Sequence, residues 1–157
     1  RALRASLPAV CADPDDLGAR TDALYGAYLA GVALATGGTA LHHKTCHVLG
    51  GMFGLDHGQM NAVVLGHAVA YNAPAIPEII DRLGEVLATR DVPGALHDLA
   101  AEIGAPTSLR EIGMPEDGIA EAAKRVVAEA ATNVRPPDEA GIRAMLEAAF
   151  DGRRPAP

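Results

Sequence analysis

Four of the chain's six histidines crowd into one segment, GGTALHHKTCHVLGGMFGLDHG, as His42, His43, His47 and His57. His43 and His47 are four residues apart, so a helix projects both side chains from one face. His57 follows beyond a set of glycines that let the chain turn back. A helix, a glycine turn and a returning histidine bring three imidazoles toward one spot. Neutral imidazole ligates iron, zinc, copper or nickel, and an imidazole with a shifted pKa shuttles protons near neutral pH. Spacing by itself reaches no further than a candidate metal or proton-transfer site. An i, i+4 histidine pair also arises on ordinary helices, and two histidines fall short of the three protein ligands of a catalytic metal. His67 falls on the next helix, where packing or capping accounts for it. His97 lies on an amphipathic helix outside the segment, and neither is given a role.

The elements that must position these residues read as helices throughout. RALRASLPAV reads as a helix already under way, the middle of something longer. Asp13, Pro14 and two further acids signal a helix start, with a capping side chain, an early proline and acids at the positive helix end. Apolar residues then recur from Leu17 through Leu24, Tyr25, Tyr28, Leu29 and Val32, a spacing that predicts one buried face. Gly37-Gly38 interrupts that run. A second helix is expected over about Thr39–Leu49, ended by Gly50-Gly51. Others follow at Gln59–Tyr71, from Pro77, from Pro93, at Ser108–Ile112, over Pro115–Thr132 and over Pro137–Phe150. No alternating strand pattern is present, so the expected fold is all-α, a helical bundle. The expected organisation is a single partial helical domain over residues 1–157, with residues 151–157 as a flexible tail.

Composition narrows the classes. Aromatics make up only 3% of the chain, so the apolar mass is Ala, Leu, Val and Ile, suited to closely packed helices. A net charge of −7 leaves no basic stripe to neutralise phosphates, which argues against a nucleic-acid partner. No apolar run approaches the length of a membrane span. Cys11 and Cys46 lie too far apart in sequence to suggest a metal pair, and read as free thiols of a reducing, cytoplasmic compartment.

At the histidine segment the sequence resembles the iron-type alcohol dehydrogenase family. LHHKTCHVLGG, LDHG and AVVLGHAVAYNAPAIPE are similar to the signature of that family's helical C-terminal domain, in the form found in its maleylacetate reductase subgroup. Upstream, LPAVCADPDDLGARTDALYGAYLAG resembles the helix before the site. Downstream, LAAEIGAPTSLREIGMPEDGI and VRPPDEAGIRAMLEAAFDG resemble the rest of the domain. Asp56 and Gly66 stand where the family often has proline, and HGQMNA is closer to the wider alcohol dehydrogenases.

The resemblance implies the helical, substrate-side half of a two-domain reductase, its partner being a dinucleotide-binding α/β domain on the same chain or on a separate subunit. No glycine-rich phosphate loop is present here. It further implies NADH or NADPH as cofactor, iron, zinc or no metal, a small dicarboxylate substrate such as maleylacetate (reduced to 3-oxoadipate in aromatic-compound breakdown), and a homodimer. Residue by residue, His43 and His57 match metal-ligand positions and His47 a proton donor or relay. Lys44 and His42 match the substrate side, with a solvent-facing lysine as the alternative for Lys44. The rival readings are a stand-alone helical binding or regulatory module, one subunit of a split enzyme, a small metal-binding helical protein in its own right, and an iron-type alcohol dehydrogenase acting on another substrate.

Overall fold

Alanine- and leucine-rich stretches punctuated by proline and glycine fold as the spacing predicts. The computed structural model describes residues 1–156, and among them there are eight α-helices and no strand. The all-α class expected from the sequence is the one observed. The chain packs as two compact units, Arg1–Thr39 and Ala40–Pro157. No single helix among the described residues is long and apolar enough to cross a membrane.

The first unit is a helix pair, α1 (Ala2–Ala12) and α2 (Leu17–Gly37). The two approach closely at Gly26, where a Cβ would come within 2.7 Å of Leu3 Cγ. The cap of α2 is Asp16, whose Oδ1 accepts from the Ala19 amide at 3.0 Å, while Asp13 closes the preceding turn onto Asp15. The buried face expected along α2 is not buried: Leu17, Leu24, Tyr25, Tyr28, Leu29 and Val32 are all exposed, Leu24 to 71% and Tyr28 to 66%. Only Ala19 and Gly26 of this helix are covered. The reason is geometric. An apolar stripe on a helix of this length needs more than one packing neighbour, and within its unit α2 has the shorter α1 alone.

The second unit is built around α4 (His57–Asn72), which packs against α3 (Leu41–Phe53), α6 (Val92–Glu102) and α8 (Glu139–Phe150). α7 (Ile119–Glu129) fills the space beside α3 and α8, and α5 (Pro77–Leu87) lies on α6. Leu41, Leu49, Met60, Val64, Leu109, Val126, Ile142 and Leu146 have no solvent exposure and form the core. The burial of each such side chain contributes roughly 2 kcal/mol.

Three boundaries differ from the sequence expectation. Gly50-Gly51 does not end α3; the helix runs on to Phe53 and stops at Gly54, in the left-handed region at φ 66°. Gly50 lies inside α3 facing α4, where a Cβ would meet Met60 Cε at 3.4 Å, an ordinary contact. The stretch 108–112 is a series of turns rather than a helix. The amides of Leu109 and Arg110 bond the carbonyls of Ala149 and Phe150, satisfying acceptors that the end of α8 would otherwise leave unpaired. The residues after α8, expected to be loose, are engaged through residue 155: Arg154 pairs with Asp91 and Asp98, and Pro155 is buried. Pro157 lies outside the described residues.

Candidate functional site

The histidine segment forms the first three turns of α3 and the start of α4. Ala40, the N-cap of α3, has no side chain to satisfy the first amides. Asn133 does so from a distance: its Oδ1 accepts from the Leu41 amide at 3.3 Å, and its amide nitrogen donates to Asn72 Oδ1 and the Arg135 carbonyl, each at 2.7 Å. One buried asparagine therefore ties the start of α3, the end of α4 and the loop before α8 together. At the start of α4, Asp56 caps the helix by accepting from the Gln59 amide at 2.9 Å, which fixes His57 as its first residue. The departure from proline at position 56 thus supplies a cap.

His42 bridges the two helices. Its Nε2 lies 3.0 Å from the backbone carbonyl oxygen of Asn61 on α4, and the Cys46 sulfur lies 3.9 Å from the same nitrogen. Burial lowers the His42 pKa below the usual histidine value; the Asn61 bond opposes this, and the nearby His43 and His57 reinforce it. A carbonyl only accepts, so the neutral His42 ring carries its hydrogen on Nε2 and presents a lone pair at Nδ1. That atom faces His43 Nδ1 at 3.4 Å, with the rings edge to face and 5.0 Å between centroids. His43 Nδ1 is then the donor, and the neutral His43 ring keeps Nε2 as an unprotonated nitrogen. A carbonyl–imidazole–imidazole chain thereby sets the tautomer of His43.

The other expected site residues sit around this chain. His57 is exposed at the head of α4, within electrostatic reach of His42. His47 is exposed and borders a groove of about 390 Å³ between α3 and α7, beside Arg125 and Glu129. Lys44 is half-buried and its Nζ lies 3.7 Å from Glu129 on α7, so its charge is directed to that carboxylate. The structure brings His42 and His43 into contact; among the described residues no hydrogen bond joins His47 to another imidazole. Cys46 is fully buried, and burial pushes its thiol up to about 12, so it remains S–H near neutral pH.

Among the described residues no three His, Cys, Asp or Glu side chains converge to hold a metal ion. With His42 bound to Asn61 and Cys46 kept as a thiol, His43 and His57 are what this chain offers, and two imidazoles do not make up a catalytic metal centre. The residues present do not by themselves fit the metal that the sequence resemblance implies. Asn61 and Asn133 went unremarked in the sequence because Asn61 acts through its backbone carbonyl and Asn133 through bonds to groups distant in the chain, neither of which leaves a periodicity or motif.

The family described as Fe-containing alcohol dehydrogenase family, C-terminal, matches residues 1–150. The chain is 49% identical to maleylacetate reductase of Sphingobium indicum over 155 residues and 44% identical to that of Burkholderia cepacia over 156 residues, in both cases 99% of this chain. It spans 44% of the length of each of these relatives. Among solved structures, maleylacetate reductase from Agrobacterium tumefaciens superposes with a TM-score of 0.94 at 41% identity, covering 99% of this chain and 44% of that one.

Proposed function

Since the chain belongs to the iron-containing alcohol dehydrogenase family and matches its C-terminal helical part, we propose that it is the substrate-side portion of a NAD(P)H-dependent reductase acting on maleylacetate. The observation that carries this reading is the Asn61–His42–His43 chain, which orients the His43 imidazole, with His57 within electrostatic reach of His42. The relatives named as maleylacetate reductases over the full span of the chain support the choice of substrate. The exposed stripe on α2 supports a larger assembly, because a contiguous apolar surface of this kind marks a face that another body covers. We assign the cover to the dinucleotide-binding part of the same enzyme, since the relatives are more than twice as long.

In this reading the nicotinamide, held by residues outside this chain, supplies the hydride to the carbon–carbon double bond of the substrate. One proton must reach the carbon that takes up the resulting negative charge, giving 3-oxoadipate and the oxidised nucleotide. The chain's residues have three tasks. His43 and His57 meet the oxygens of the substrate and stabilise the developing enolate, a charge that preorganised polar groups favour in a closed site. His47 relays the proton. Lys44 draws the dicarboxylate by exchanging Glu129 for a carboxylate of the substrate, and His42, expected on the substrate side, has both ring nitrogens committed and instead positions His43. The assembled enzyme works as a homodimer.

The test is NADH and NADPH oxidation by the intact native protein with maleylacetate and with simple alcohols and aldehydes. Oxidation confined to maleylacetate supports the reading. Activity on an alcohol–aldehyde pair alone would move the protein to another branch of the same family.

A further inference from the structure

A groove on the far side of α4 has no acidic side chain in its wall, although the chain carries a net charge of −7. It encloses about 410 Å³, opens to solvent, and is bounded by His67 and Tyr71 of α4, Met145 of α8, and Arg135, Arg153 and Arg154. The arginines are not equivalent. Arg154 is neutralised by Asp91 and Asp98, which anchors the groove's edge. Arg153 meets Asp151 only at 3.5 Å, and Asp151 is shared with Arg110 at 3.1 Å. The Arg135 guanidinium lies flat over the Tyr71 ring, 4.2 Å from its centroid, and donates to the Tyr71 carbonyl at 2.7 Å. It has no carboxylate partner among the described residues.

His67 adds an independent sign. It is 3% exposed, lines the groove, and its Nε2 has no hydrogen-bond partner. Buried polar atoms without partners are few in native proteins and call for an explanation. Burial, with the charges of His97 and Arg153, brings the His67 pKa down to about 4, so the ring is neutral near neutral pH.

We propose that this groove binds a small organic carboxylate with an apolar body, its carboxylate held by Arg135 and Arg153, its body on Ala70, Met145 and Ala148, and His67 at the floor. A pre-positioned guanidinium favours a planar carboxylate through paired N–H donors. The apolar half of the wall distinguishes such a ligand from a bare inorganic anion. The site does not depend on the reductase reading, because none of its residues belongs to the His43–His57 region.

The experiment is calorimetric titration of the intact protein with benzoate, with acetate and inorganic phosphate as controls. Saturable binding of benzoate, weaker binding of acetate, and a loss of about tenfold or more in affinity in Arg153→Gln are expected. Arg135→Gln should do the same, and since Arg135 also braces Tyr71, its folding is checked by circular dichroism. A second readout covers the case in which that variant unfolds: the ring resonances of His67 shift on adding benzoate, whereas those of His43 and His57 do not. NADH oxidation is unchanged in Arg153→Gln. Absence of benzoate binding, equal binding in Arg153→Gln, equal affinity for phosphate, or shifts at His43 and His57 in place of His67 would each overturn the proposal.

Discussion

The ring of His42 is fixed to the Asn61 carbonyl at 3.0 Å, and that bond decides which nitrogen of His43 is left for chemistry. Replacing His42 by Phe keeps the volume and removes the chain. In the intact enzyme this should lower kcat by roughly tenfold to a hundredfold, the usual effect of losing a group that orients a reactive histidine, with KM changed much less. Nitrogen-15 spectra of the His43 ring provide the check, since the tautomer becomes mixed in the variant. A variant in which kcat is unaltered and the His43 ring keeps a single tautomer would deny His42 the positioning role.

His47 is exposed on α3, so substituting it removes no core packing. His47→Ala should leave the helical circular-dichroism spectrum intact and reduce turnover by roughly a hundredfold or more, the scale of a lost general acid. Near-normal turnover would take His47 out of the mechanism.

Acid sensitivity should come from His67. Its folded-state value of about 4 lies below the ordinary 6.5 of an unfolded histidine, so between those limits the unfolded chain binds the extra proton. Stability is therefore complete above about pH 6.5 and is lost as pH falls toward 4, by about 3 kcal/mol in all at 1.4 kcal/mol per unit. Denaturant midpoints measured across that window should decline, and His67→Leu should flatten the slope. A slope as steep in the variant would assign the effect to other groups.

Much of this arrangement is legible in the sequence, and the exceptions have physical causes. The helices that carry His43, His47 and His57 follow from local spacing and from the glycine turn at Gly54, but the spacing does not say which imidazoles meet, and the contact formed is His42 with His43. Asn133 is not, since its bond to the Leu41 amide spans 92 positions and depends on how α3, α4 and the loop before α8 come together. The stretch around Leu109 has a helical composition but is taken over by the free carbonyls of α8, a tertiary demand that outweighs local propensity. On α2 the apolar period is present but the burial expected from it is not, because burial also requires a neighbour, which sequence periodicity does not specify.

Asn133 should accordingly be worth more than a typical surface polar residue. Asn133→Leu strands the Leu41 amide and the amide group of Asn72, so a loss of about 2–4 kcal/mol is expected in urea unfolding. Asn133→Asp, which keeps the acceptor toward Leu41 and loses the donor toward Arg135, should fall between. If both variants unfold at the parent midpoint, the three-way tie carries no stability.

The exposed face of α2 predicts behaviour that depends on context. These 157 residues expressed by themselves should bind a hydrophobic dye and self-associate, and Leu24→Ser with Tyr28→Ser should suppress both. In source cells, an antibody to α8 should detect a polypeptide more than twice this length if the cover is on the same chain. A band at this chain's own size would require the cover to be a separate subunit.

The contrast between the two cysteines gives the molecule one chemical address. Cys46 is sealed in the core as a thiol, while Cys11 stands exposed on α1. Within these 157 residues a maleimide reagent at neutral pH should therefore attach once, at Cys11. A fluorophore placed there sits on the helix that packs against α2, so its emission would register when that apolar stripe gains its cover, turning assembly of the enzyme into an optical signal.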